Sequence, residues 1–172
     1  MHPVIEWKHN RVIMLDQRKL PLIETYITHT DHHQVARSIR TMVIRGAPAI
    51  GVAAAMGITL AIVNAGRVPT ARRFQGICDT LLNTRPTAVN LGWAVRRMNR
   101  IYRDFHSDYH QLKKMMVQEA LRIDREDVRI NRRLGSYGQT LLQSGQRILT
   151  HCNAGELATA GFGTALGGIR SA

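Results

Sequence analysis

The sequence predicts an α+β chain: a small antiparallel sheet, then a run of helices, then the opening of an α/β unit. Three observations carry that prediction. Apolar residues between positions 4 and 28 come in short runs split by turn formers and hold no 3.6-residue period. From Thr30 to about Gln143 the apolar positions recur at helical spacing. After Ser144-Gly145, the short apolar run Ile148-Leu149 leads into Thr150-His151-Cys152-Asn153-Ala154-Gly155 and then a small-residue segment. That is the order of a strand, a tight turn and a helix start.

Taken in turn, Val4-Ile5-Glu6-Trp7, Arg11-Val12-Ile13-Met14-Leu15 and Leu22 to Thr28 read as three strands, with Lys8-His9-Asn10 and Asp16 to Lys19 as turns. Thr30-Asp31 can cap a helix that carries Val35, Ile39 and Met42 on one face. That helix fails near Arg45-Gly46, and Pro48 suits the first turn of the next, which runs roughly from Ala49 to Asn64. The second helix is apolar on every side, the mark of a segment buried among close neighbours. Phe74, Ile77, Cys78, Leu81 and Leu82 define a third helix; Leu91, Val95, Met98, Tyr102 and Phe105 define a fourth. A long helix from about Asp108 to Gln143 carries Met116, Ala120, Ile123, Ile130, Leu134, Tyr137 and Leu141 on one stripe, interrupted by Asp127. Residues 1–145 are therefore expected to form a first domain with the long helix as connector. Residues 146–172 are expected to supply one strand and one helix of a truncated second domain.

Composition narrows the function. An apolar fraction of 44% in 172 residues is enough for a globular core. The net charge of +12 is carried by twenty Arg and only four Lys, which favours anionic partners or an acidic complement elsewhere. Cys78 and Cys152 make neither a disulfide framework nor a metal-ligand spacing. The chain shows no secretory leader, and its longest uncharged run, Gly46 to Gly66, is too small-residue-rich for a membrane span, so a cytoplasmic setting is expected.

Three stretches carry candidate chemistry. Arg45-Gly46-Ala47-Pro48-Ala49-Ile50-Gly51 places a guanidinium and free amides at a helix start, which is either an anion site or a Pro-initiated core helix with a solvated cation. Arg85, before Pro86-Thr87-Ala88-Val89-Asn90, is a second loop cation and by itself reads as a surface charge. Cys152 is a nucleophile, an acid/base group or an inert thiol; at a strand end, before a helix N-terminus, a thiolate is favoured. Cys78, on an apolar helical face, reads as core. The remaining arginines (Arg96, Arg97, Arg100 and Arg103 on one helix, Arg122 to Arg133 on the next) read as a solvated face or subunit contact rather than a nucleic-acid platform.

As a set and in order, the Arg45–Gly51, Arg85–Leu91 and Thr150–Gly155 stretches, with Leu157–Leu166, Asp16-Gln17-Arg18 and Leu20-Pro21, resemble the methylthioribose-1-phosphate isomerase family. That family is related to the regulatory subunits of a eukaryotic translation-initiation exchange factor and to ribose-1,5-bisphosphate isomerases. The resemblance spans essentially this whole chain and about the first half of a family member. It implies a sheet-plus-helices domain joined to a Rossmann-like one, and an aldose–ketose isomerase of methionine salvage acting on 5-methylthioribose 1-phosphate. It implies that Arg45, Gly46, Ala47 and Arg85 bind the sugar phosphate and that Cys152 is the active-site cysteine. It implies no cofactor or metal and a homodimer at full length. The family's catalytic aspartate falls beyond the matched half, so the resemblance implies a site half built from this chain and little activity from it alone.

Overall fold

β1 (Ile5–Lys8) and β2 (Arg11–Leu15) form a hairpin over His9 and Asn10, both at positive φ (50° and 56°), the two-residue turn whose twist suits antiparallel strands. β3 (Tyr26–His29) pairs antiparallel with β2, completing a three-stranded sheet in the order β1-β2-β3. The computed structural model describes residues 3–172, so the first two positions of the expected first domain lie outside the described residues. His29 ties the sheet to the helices. It is buried, with Nδ1 on the Val12 carbonyl at 3.0 Å and Nε2 on Ser38 Oγ at 2.6 Å.

Six α-helices follow among the described residues: α1 (His32–Arg40), α2 (Ala47–Val63), α3 (Ala71–Leu82), α4 (Val89–Phe105), α5 (Tyr109–Gly138) and α6 (Ala165–Ser171). Asp31, Thr70 and Asp108 cap α1, α3 and α5 by accepting first-turn N–H groups, as their side-chain chemistry favours. α2 lies at the centre. Its continuous apolar sequence leaves no face for water, and it packs against α1, α3, α4, α5 and the sheet. Met56, Ile58, Leu60 and Ile62 are all but fully buried, and each contributes about 1.5–3 kcal/mol of transfer free energy. The buried Thr59 satisfies its hydroxyl on the Ala55 and Met116 carbonyls, at 2.9 and 3.2 Å, joining α2 to α5.

Three expectations need correction. The third strand is confined to Tyr26–His29; Leu22 and Ile23 are 90% and 56% exposed, because β2 pairs only with residues 26–29. The long helix ends at Gly138, and its apolar stripe divides in two. Leu112, Met116, Ala120 and Ile123 are buried, whereas Ile130, Leu134, Tyr137 and Leu141 are at least half exposed. Gly135 lies on another face, where a Cβ would sit 2.8 Å from the Gly167 carbonyl, so its lack of a side chain admits α6.

The third correction concerns residues 146–172. No strand forms at 146–150, and Leu149 is 98% exposed. A strand exists only as part of a hydrogen-bonded ladder, and no described segment pairs with this one. The helix expected over the small residues is a short 3₁₀ turn (Glu156–Ala158), then an irregular stretch, then α6. Gly161, Gly163 and Thr159 make local loop bonds instead of helical ones.

Arg97, read from sequence as one of a solvated arginine group, is instead the ionic centre of the α4–α5 contact. Its side chain is 10% exposed; Nε donates to Glu119 at 2.6 Å, the guanidinium also grips Glu126, and the Trp93 ring lies 4.9 Å from its Cζ. Arg122 pairs with Glu126 from the outside at 2.8 Å. Removing the guanidinium leaves Glu119 in a partly dry contact with only the distant Arg122 at 3.9 Å, while Glu126 keeps its pair with Arg122. Arg97→Ala is therefore expected to lower unfolding free energy by about 3–5 kcal/mol, and the exposed Arg100→Ala by less than about 0.5. Urea titration of the two variants against the parent chain checks both.

Candidate functional site

Burying α2 on all sides brings its N-terminus out beside that of α4. Pro48 in the first turn of α2 and Val89 and Asn90 in the first turn of α4 line one cleft of about 470 Å³, with Trp93, Ile123, Asp127, Asn131 and Thr164 among its other walls. The two helices touch closely there: a Cβ on Gly51 would lie 3.0 Å from the Asn90 carbonyl oxygen.

These two helix starts differ from those of α1, α3 and α5. Neither Gly46 nor Ala88 supplies a side-chain cap. The amides of Ala47, Ala49, Val89 and Asn90 have no acceptor among the described residues. Each start is preceded by an arginine, Arg45 exposed and Arg85 half-buried. Uncapped amides and two positive helix ends make a setting for an anion; the charged walls of the cleft are Arg96, Glu126 and Asp127, and Arg45 and Arg85 are not among its lining residues.

Gly46 is fixed by two constraints. Its φ is +96°, and a Cβ would lie 2.3 Å from the Cα of Ala158. Only glycine allows the loop after Cys152 to rest on the start of α2. That loop is further held by the Gln17 side-chain amide, which donates to the Leu157 carbonyl at 2.7 Å, and by Asp127, whose Oδ2 accepts the Ala160 N–H at 2.7 Å. Gln17 is set in place by its own N–H on Val43 and by its neighbour Asp16, which forms a two-point pair with Arg18 at 2.8 Å.

Of the residues singled out from sequence, Gly46 and Ala47 thus sit at one uncapped helix start, and Arg85 leads to the other. Cys152 is placed differently from expectation. It is exposed at φ +66°, the next α-helix begins only at Ala165, and residues 147–153 make no hydrogen bond among the described residues. The exposed amides of an adjacent helix start are therefore not available to it here. Cys78 is core: it is fully buried, and burial pushes its thiol up to about 12. Sequence reasoning missed Gln17, Asn131 and Trp93. The only advance signal for Asp127 was a carboxylate inside an apolar stripe.

Asp124 and Asp127, one turn apart on α5, share a partly dry environment. Burial, then the charge of Asp127, pushes the Asp124 carboxyl up to about 6. Burial also raises Asp127, opposed by the Ala160 N–H and by Asn131. An acid raised on folding contributes stability below its unfolded pKa of 3.8, and that contribution is lost as pH climbs through about 6. Asp124→Asn is expected to match the parent chain in Tm near pH ~3.5 and to exceed it above pH ~6, by roughly 2–4 °C for each kcal/mol relieved. Thermal melts across that range test the sign.

Comparison with known proteins adds context to this geometry. Residues 43–172 match the family model described as Initiation factor 2 subunit family. The chain is 49% identical over 172 residues to the methylthioribose-1-phosphate isomerase of Geotalea daltonii, covering 98% of this chain and 50% of that protein. It is 49% identical over 174 residues to the one of Geobacter sulfurreducens, with the same coverage. The crystal structure of 5-methylthioribose 1-phosphate isomerase from Pyrococcus horikoshii OT3 superposes with a TM-score of 0.89 at 38% identity, over 99% of this chain and 50% of that one. That of translation initiation factor eIF-2B, subunit delta, from A. fulgidus superposes at 0.84 and 35% identity, over 99% and 51%. The chain spans about half the length of the curated relatives it matches.

Proposed function

Because the chain belongs to the Initiation factor 2 subunit family, we propose that it forms one wall of an aldose–ketose isomerase site that converts 5-methylthioribose 1-phosphate to 5-methylthioribulose 1-phosphate. The observation that carries this reading is the convergence of two uncapped helix N-termini, each preceded by an arginine, beside a partly apolar cleft. Arg45, the amides at Gly46 and Ala47, and Arg85 hold the phosphate. Cys152 faces the reacting carbons.

The reaction needs no net redox partner. The ring C1–O4 bond breaks and O4 takes a proton. The hydrogen on C2 moves to C1, and the C2 hydroxyl loses its proton as it becomes the carbonyl. By either a proton or a hydride route, charge develops beside the anchored phosphate, where fixed cations and excluded water lower the barrier. A phosphate on the anomeric oxygen also blocks simple ring opening, so acid assistance at O4 is required.

In this reading residues 1–145 are the first domain, and residues 146–172 open a Rossmann-like domain whose strand at 146–150 awaits its neighbours. The full-length protein is a cytoplasmic homodimer. The half-length coverage of the relatives supports placing the remaining catalytic groups outside this chain. A second reading, a non-catalytic regulatory or binding module, is favoured by the likeness to the delta subunit. A ribose-1,5-bisphosphate isomerase would use the same phosphate grip on a different sugar.

Phosphorus NMR of the two sugar phosphates with the chain extended through the second domain decides between catalysis and regulation. Interconversion that falls by most of its rate in Cys152→Ser is expected, and little or none from the 172-residue chain. Full turnover in Cys152→Ser removes the cysteine's role. Loss of sugar-phosphate affinity in Arg45→Ala, by about tenfold or more for a charged hydrogen bond, is expected as well; unchanged affinity would overturn the phosphate grip.

A further inference from the structure

Residues 154–166 form a closed loop with its own internal bonding. Its neck is the Ala154 carbonyl, which accepts the N–H groups of Thr164 at 2.9 Å and Leu166 at 3.3 Å, and Ala154 is buried. Its interior is the fully buried Thr159, whose Oγ accepts the Gly161 and Gly163 N–H groups at 3.1 and 3.2 Å. A loop closed at the neck and filled by its own side chains moves as a unit. Cys152 lies two residues outside the neck and is joined to it through Asn153.

The loop is docked at three points. Ala158 rests on Gly46, within the proposed anion site itself. Gln17 and Asp127 hold the loop from either side, one from the sheet end and one from α5. Gln17 is 4% exposed and its Oε1 has no partner, so its single bond to Leu157 is the only return on burying that amide. Such a costly placement fixes geometry rather than adding stability. Asp127 supplies a charge-assisted bond to a backbone amide, among the strong kinds.

We propose that Gln17 and Asp127 are positioning residues, which clamp the 154–166 loop onto the Arg45-Gly46-Ala47 turn so that an anion bound at that turn is felt at Cys152. The inference rests on the phosphate-site reading above. Gln17 lies outside the cleft wall, and Asp127, which lines it, accepts the Ala160 N–H through Oδ2. Both act through the loop, whose contact with Gly46 leaves no slack between the two segments.

The test uses the 172-residue chain, inorganic phosphate and iodoacetamide. Alkylation reports on Cys152 alone, since Cys78 is buried with its thiol pushed up to about 12. Phosphate is expected to slow alkylation of Cys152 by about threefold or more, through like-charge repulsion of the thiolate. In Gln17→Leu, calorimetry should give unchanged phosphate affinity while the slowing disappears; in Asp127→Leu, where a carboxylate of the cleft wall is removed, the slowing should disappear when measured at saturating phosphate. Asp127→Asn, which keeps an oxygen to accept the Ala160 N–H, should restore it. Slowing that survives in both Leu variants overturns the proposal, as does phosphate binding to the parent chain without any slowing.

If phosphate does not bind the parent chain at all, the phosphate-site reading fails, and with it the coupling to Cys152. Hydrogen exchange then judges the clamp separately. Amides at 157–163 should exchange faster in the Leu variants, while those of α2 keep their protection and report an intact fold. Equal exchange at 157–163 in parent and variants would remove the clamp as well.

Discussion

The burial of α2 is the constraint on which the rest depends. A helix of Ala, Ile, Val, Leu, Met and Gly, with only Pro48 and Thr59 besides, has no side to offer water, so the sheet and α1, α3, α4 and α5 are recruited as its walls. Its sides are used up, and only its ends remain for other purposes. The N-terminal end, with Gly46 at a positive φ and Pro48 in the first turn, is where the sheet end, α4, α5 and the 154–166 loop all come within reach. The candidate site is thus located by packing before any functional side chain is considered.

Capping divides the helices by role. An Asp or Thr accepts the first amides of α1, α3 and α5, at Asp31, Thr70 and Asp108, and at the start of α6, where no side chain caps, the Ala154 carbonyl accepts the Leu166 N–H. The starts of α2 and α4 are left open, and each is preceded by an arginine. An uncapped terminus gives up about 1 kcal/mol of stability relative to a good cap. Two such losses side by side make sense if the amides serve another acceptor.

The large positive charge divides in a similar way. Arg97 is drawn into a partly dry contact with Glu119 and Glu126, where it joins two helices. Arg96, Arg100, Arg103, Arg125, Arg129 and Arg133 stand exposed without ion-pair partners among the described residues. Charge counted from composition therefore overstates what faces the cleft, where the lining cation Arg96 stands with the carboxylates Glu126 and Asp127, and Arg45 and Arg85 precede the two helix starts.

The sequence by itself determined the α+β class, the three short strands, the buried nature of α2, the cap of α1, and Arg45-Gly46-Ala47-Pro48 as a helix start. Each of these follows from periodicity or local chemistry within a few residues. Tertiary structure decided the rest. Whether Ile148-Leu149 is a strand depends on a neighbour to pair with, which no local pattern supplies. Whether Arg97 is solvated depends on two glutamates of another helix. Gln17 carried no local sign of its role, and Asp127 carried only its oddity in an apolar stripe, because their partners, Leu157 and Ala160, lie far along the chain. Local patterns record what a residue prefers; only the packed chain records which distant group it meets.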